Sequence, residues 1–104
     1  MNKNKHEETV DMVVERLLST GKFNNVQTDI EYSHPLGCGQ VDVLSFISPN
    51  HHYFYEVKST GHPRAIKRAQ EQYNRYKITH KTQNIEGYVC FTKDDKLVIE
   101  RLPE

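Results

Sequence analysis

Two short segments, Gln40–Ile47 and His51–Thr60, set the limits on what this chain can build. Both are rich in β-branched and aromatic residues, and only Ser48, Pro49 and Asn50 separate them, so they read as two strands of one hairpin. Side chains alternate faces along a strand. Gln40, Asp42, Leu44 and Phe46 therefore share one face of the first strand, and His52, Phe54, Glu56 and Lys58 share one face of the second. The register that sets these faces on the same side pairs Phe46 with His52, Leu44 with Phe54 and Asp42 with Glu56. It leaves Ser48-Pro49-Asn50 as a three-residue loop, with Asn50 able to take the left-handed position. A slip of one residue would throw Asp42 to the other side. The pattern predicts an apolar ladder that ends in two apposed carboxylates, with Lys58 one step beyond. Tyr53 and Tyr55 fall in a core on the opposite face.

The rest of the chain frames that hairpin. Val10, Val13, Val14, Leu17 and Leu18 recur at helical spacing within 6–20, and Gly21 is a stop signal. Val26–Tyr32 reads as a strand and Ser33–Gly39 as a loop, on account of Pro35, Gly37 and Gly39. Gly61-His62-Pro63 breaks the hairpin's second strand, and Pro63 opens a helix that runs to about Ile78. Glu86–Thr92 and Leu97–Leu102 are two more strands, joined at Lys93–Lys96. The expected class is α/β, in the order α-β-β-β-α-β-β: a central mixed sheet, two flanking helices and a C-terminal hairpin. A chain of 104 residues is one domain.

Composition removes several classes. No apolar run approaches the about 20 residues of a membrane helix. The N-terminal Met1–Glu8 segment has no apolar signal core, so a cytoplasmic location and no membrane partner are expected. Cys38 and Cys90 are too few for a disulfide framework or zinc site and are read as buried thiols. Net charge is zero, but unevenly spread. Residues 1–57 carry four Lys/Arg against eight Asp/Glu, residues 58–81 seven against Glu71 alone, and residues 82–104 three against five. A basic block inside a neutral chain is the footprint of a polyanion or a solvated helix face.

Two apposed carboxylates repel unless something positive lies between them. A hard divalent cation such as Mg²⁺, with Mn²⁺ as the alternative, meets that need through oxygen ligands. Asp42 and Glu56 are the expected side-chain ligands, and the Val57 carbonyl between the key side chains is a further one. Such an ion polarises a phosphoryl oxygen and acidifies a bound water. Lys58 then orients that water or neutralises developing charge.

Gly39-Gln-Val-Asp42-Val-Leu followed by Glu56-Val-Lys58 resembles the aspartate strand and the E-X-K element of the PD-(D/E)XK nuclease superfamily. The likeness is strongest to its compact Holliday-junction-resolvase-like and virus-type replication-repair branches. The order α-β-β-β-α-β over residues 6–91 resembles that family's restriction-endonuclease-like core. One departure is Gln40-Val41, where a proline often precedes the aspartate. The resemblance implies Mg²⁺-dependent hydrolysis of DNA, with branched or junction DNA favoured and a homodimer to supply two centres. It also implies two further site residues. One is a glutamate on the first helix: Glu7, spaced with Val10, Val14 and Leu17, with Glu8 as the alternate. The other is a glutamine on the helix after the lysine: Gln72, in the Gln72-Tyr73-Asn74-Arg75-Tyr76 stretch, with Gln70 as the alternate. Arg64, Lys67, Arg68 and Arg75 are placed to meet DNA phosphates. The competing expectation is a non-catalytic nucleic-acid-binding module on the same fold.

Overall fold

Asn4 begins the first helix by accepting the N–H of Glu7 on its Oδ1 at 2.8 Å, and Gly21, at φ 65°, follows its last turn. The computed structural model describes residues 3–104. Its elements are α1 (Lys5–Ser19), β1 (Asn25–His34), β2 (Gly37–Ser48), β3 (His51–Val57), α2 (Pro63–Thr79), β4 (Asn84–Lys93) and β5 (Lys96–Arg101). The fold is α/β, in the element order expected. Among the described residues no helix is long and apolar enough to cross a membrane.

The strands form one mixed sheet in sequence order, antiparallel except for the parallel pair β3–β4. A parallel pair needs a crossover, and α2 supplies it. His62 caps α2, its Nδ1 accepting the Arg64 N–H at 3.2 Å, and Pro63 occupies the first turn. One helix covers each face. Val10, Val13 and Leu17 of α1 pack with Val43, Tyr53, Tyr55, Val57 and Cys90. Ala69, Tyr73 and Tyr76 of α2 pack with Leu44, Phe54, Ile85, Val89 and Phe91. Tyr53 and Tyr55 thus lie on the face away from Phe54, as the alternation predicts.

The β2–β3 register is the expected one where Leu44 lies opposite Phe54 and Phe46 opposite His52, but the ladder ends at Val43–Tyr55, so the expected Asp42–Glu56 pair is not part of it. The turn differs. Ser48 pairs with His51, so only Pro49 and Asn50 form the tip and Ile47 is a bulge that absorbs the extra residue. The expected 33–39 loop is also a correction. Ser33 pairs with Cys38 and His34 with Gly37, leaving Pro35 and Leu36 alone at the tip of a long β1–β2 ribbon. Pro35 sits in a turn where its missing N–H does no harm. Cys38 is accordingly exposed, whereas Cys90 is buried. β3 ends at Val57, earlier than expected, although the Lys58 N–H still donates to the Cys90 carbonyl at 2.8 Å.

Tyr73 anchors α2 to the sheet. It is fully buried, donates its hydroxyl to the Ile85 carbonyl at 2.9 Å, and lies against β4 where Gly87 has no side chain. A Cβ at Gly87 would come within 2.6 Å of that ring. Gly87→Ala is therefore expected to destabilise the fold by about 1–3 kcal/mol, the usual range for overpacking a dense core. Urea unfolding checks this, and an unchanged midpoint would mean that α2 shifts freely.

Candidate metal centre

The centre forms where β2 parts from β3. Pairing between β1 and β2 passes from Thr28–Val43 to Ile30–Val41 and omits Asp29 and Asp42. Asp29 sits at φ 53°, in the left-handed region. Val41 and Val43, two positions apart, are both fully buried but belong to opposite cores. The strict alternation read from the sequence therefore breaks at Asp42. An irregularity of this kind re-aims a side chain.

Asp42 uses that freedom to complete the ladder. Its Oδ2 accepts the Val57 N–H at 2.8 Å, a place that a backbone carbonyl would normally take. Its Oδ1 lies 3.2 Å from His6 Nε2, at the start of α1. Glu56 follows Phe54 on β3 and is only 4% exposed. Its Oε1 is buried with no hydrogen-bond partner, and its Oε2 is 3.7 Å from Lys58 Nζ. Lys58 in turn donates to Gln72 Oε1 at 2.8 Å. Burial first, and the charge of Asp42 second, hold the Glu56 carboxyl well above the usual carboxylate range, against the pull of Lys58.

The structure brings together Asp42, Glu56, Val57, Lys58 and Gln72. Gln70 is elsewhere, donating to Asn74 Oδ1 at 2.9 Å and to the Pro103 carbonyl at 2.8 Å. Glu7 is a correction. It is exposed, and its carboxylate accepts from Asn4 Nδ2 at 3.2 Å within the helix cap; Glu8 is exposed as well. The residue of α1 that reaches the acids is His6. The buried stripe of α1 is Thr9, Val10, Val13 and Leu17, and one turn before Thr9 and Val10 that stripe arrives at His6, not Glu7. Phasing the stripe on Val13 rather than Val14 is the signal that finds it.

Arg64, Lys67 and Arg68 are exposed on α2 and Arg75 is half-buried; among the described residues none of the four has an ion-pair partner. Arg64 and Arg68 line a groove of about 360 Å³ together with Lys58, Ser59 and Thr60.

The donor set suits a hard cation. An orphaned buried carboxylate oxygen beside a second carboxylate is the kind of atom that a cation satisfies. Among the described residues no group of three or more His, Cys, Asp or Glu side chains is placed to hold a metal. A cation here would therefore rest on Asp42, Glu56, a backbone carbonyl and water. That suits Mg²⁺, which keeps several waters and takes one or two carboxylates.

No family model matches the sequence, and no curated protein matches it. Two solved structures share the fold. "Protein of Unknown Function AF1548" is 14% identical over 88% of this chain and 50% of its own, with a TM-score of 0.56. "SSO0001" is 17% identical over 90% of this chain and 49% of its own, with a TM-score of 0.51. The chain thus spans about half the length of either.

Two stability measurements probe the centre. A carboxyl held protonated in the fold binds more protons than the unfolded chain does, so its contribution to stability falls as pH rises. Without divalent cation, stability is expected to decline from the ordinary carboxylate range into neutral pH, and Glu56→Gln to remove that slope. Urea unfolding across pH checks this; an equal slope in both proteins would assign it to another group. Asp42→Asn keeps an acceptor for the Val57 N–H and removes the charge, whereas Asp42→Ala strands a backbone donor. The Asn variant is expected to be the more stable of the two by about 1–3 kcal/mol. Thermal melts rank them, and the reverse order would show that the Val57 bond contributes nothing.

Proposed function

We propose that the chain is a metal-dependent endonuclease of the PD-(D/E)XK type, acting on DNA. The observation that carries this reading is the convergence of Asp42, Glu56, Lys58 and Gln72, from three elements, around a buried carboxylate oxygen without a partner. Asp42, Glu56 and the Val57 carbonyl would hold Mg²⁺ or Mn²⁺, which when bound supplies charge neutralisation and a more acidic water. Lys58 is the one cationic side chain within salt-bridge range of the Glu56 carboxylate among the described residues. Gln72 holds its ammonium in place, and a fixed ammonium lowers the energy of charge that grows on phosphoryl oxygens in the transition state. Arg64, Lys67, Arg68 and Arg75 contact backbone phosphates, which position the substrate without reading its sequence. Branched or junction DNA is the preferred substrate in this reading, and a homodimer would set two centres on one such branch point.

The test is a cleavage panel. Purified chain is mixed with labelled linear, flap and four-way-junction DNA in Mg²⁺, in Mn²⁺ and in EDTA. Cleavage is expected with either metal, strongest on the branched substrates, and absent in EDTA. Lys58→Ala and Asp42→Asn are expected to reduce it on the order of a hundredfold or more, with circular dichroism unchanged. Binding without cleavage in either metal would replace the enzyme with the non-catalytic binding module.

A further inference from the structure

Beyond Val43, β2 pairs with β1 alone, so the β1–β2 ribbon overhangs the end of β3 where the acids lie. Tyr32 sits in that overhang, paired with Gly39. A Cβ at Gly39 would fall within 2.6 Å of both Cε1 and the hydroxyl oxygen of Tyr32. It is the phenol end of the ring that lies over the β2 backbone, in the space that any other residue would fill. The hydroxyl has therefore crossed from β1 over β2 toward the side on which β3 ends at Glu56 and Lys58. The ring is braced from the α2 side. It meets Tyr76 edge to face at 5.1 Å and His80 at 6.1 Å. Tyr76 is one helical turn beyond Gln72, the partner of Lys58, and directly follows Arg75.

Tyr32 is only half-buried, and its hydroxyl has no hydrogen-bond partner among the described residues, unlike those of Tyr55, Tyr73, Tyr76 and Tyr88. Burial, the largest influence, raises its pKa; Arg75 opposes the rise and Glu56 adds to it. The group is thus a neutral O–H donor within the electrostatic reach of one acid of the centre and one arginine of α2. A ring locked over a glycine, with a spare donor and with Arg75 on the residue before its partner Tyr76, has the composition of an oxyanion grip.

We propose that Tyr32 is a substrate-binding residue of the same centre: its hydroxyl, together with the Arg75 guanidinium, holds a phosphate oxygen of the nucleic-acid strand that crosses Asp42 and Glu56. Gly39 is then a positioning residue, because its missing side chain lets the hydroxyl reach that place. The proposal rests on the nuclease reading for the identity of the polyanion, but its binding arm does not require cleavage.

The experiment uses a fluorescein-labelled four-way-junction DNA, the substrate class that the nuclease reading favours. Binding is followed by anisotropy with Ca²⁺ present, and cleavage of the same probe with Mg²⁺ or Mn²⁺. The proteins are the wild type, Tyr32→Phe, Gly39→Ala and, as a control on the opposite face of the sheet, Tyr88→Phe. Tyr32→Phe keeps the ring and is expected to melt with the wild type yet bind about tenfold more weakly, the effect of one hydrogen bond to a charged acceptor. Gly39→Ala is expected to lose binding by a similar factor, and Tyr88→Phe to bind as the wild type does. Binding by Tyr32→Phe within twofold of the wild type would overturn the proposal and leave the ring as a filler over Gly39, whether or not Gly39→Ala binds. If the wild type binds, Tyr32→Phe binds weakly and neither cuts, the nuclease reading falls and the Tyr32 contact stands. If the wild type cuts and Tyr32→Phe cuts and binds equally well, the contact falls and the nuclease reading stands. A wild type that does not bind overturns both.

Discussion

A buried glutamate with an unpaired oxygen is the constraint around which the rest of this structure is arranged. Glu56 is held on a central strand, buried, with the charge of a second carboxylate, Asp42, acting on it. An isolated carboxylate in such a place is strongly disfavoured unless it takes a proton or meets a cation. The fold meets the problem only in part. Lys58 stands 3.7 Å away, but its ammonium points its hydrogen bond at Gln72 instead. Asp42 is occupied at both oxygens, by Val57 and by the His6 side. A fully stabilising design would have closed Glu56 with a donor. What remains is a buried carboxylate oxygen without a partner, a local departure from full polar satisfaction.

The topology explains why these groups meet. The antiparallel ladder of β2 with β3 ends at Val43–Tyr55, the Asp42 side chain carries on from there to the Val57 N–H, and the left-handed Asp29 on β1 interrupts the β1–β2 ladder at the same point. Because β3 and β4 are parallel, the chain must cross back over the sheet, and α2 starts from the end of β3 that bears Lys58. That crossover carries Gln72 over the lysine and spreads the arginines of 58–81 along the rim. Ligands of open α/β sheets gather at the carboxyl ends of strands for the same reason. The charge asymmetry along the sequence is thus a spatial asymmetry, with acids recessed in the sheet and cations on the helix above them.

The parts of this arrangement that were legible in the sequence are those set by period and register. Leu44, Phe46, His52 and Phe54 fix the pairing of β2 with β3, since any other register exposes an apolar face. The opposite-face placement of Tyr53 and Tyr55 follows from the same alternation, and the Pro63 start of α2 from its breaker signal. What was hidden was hidden by local chemistry. Pro35 and Gly39 carry loop signals, yet Gly39 is a strand residue whose emptiness serves Tyr32. Glu7 has the right spacing from Val10 and Val14, but Val14 lies at the edge of the stripe, and the cap at Asn4 draws Glu7 to the surface. His6 carries no signal in its residue type, because a histidine in a polar N-terminal turn looks like any solvated residue. The Asp29 kink has no clear pattern at all, since a left-handed aspartate inside a strand is decided by tertiary strain.

The buried aromatic layer beneath the centre supplies the stiffness that such a site requires. His52 Nε2 lies 2.7 Å from the Tyr76 hydroxyl, and its ring stacks on Phe46 at 4.7 Å. Burial, with His80 and His51 nearby, pushes the His52 pKa down to about 4, so this ring is neutral at neutral pH. Its role is then fixed by hydrogen bonding and packing rather than by charge. Tyr76 is gripped by His52 at its hydroxyl and by His80, stacked on its ring at 4.0 Å. A helix pinned at Tyr73 and Tyr76 cannot rotate, and Gln72, on the preceding turn, cannot leave Lys58 without breaking that packing. The geometry of the lysine is therefore set through Gln72 by the core of α2. A side chain with four rotatable bonds is held where its charge faces Glu56 by a rigid layer of aromatic rings.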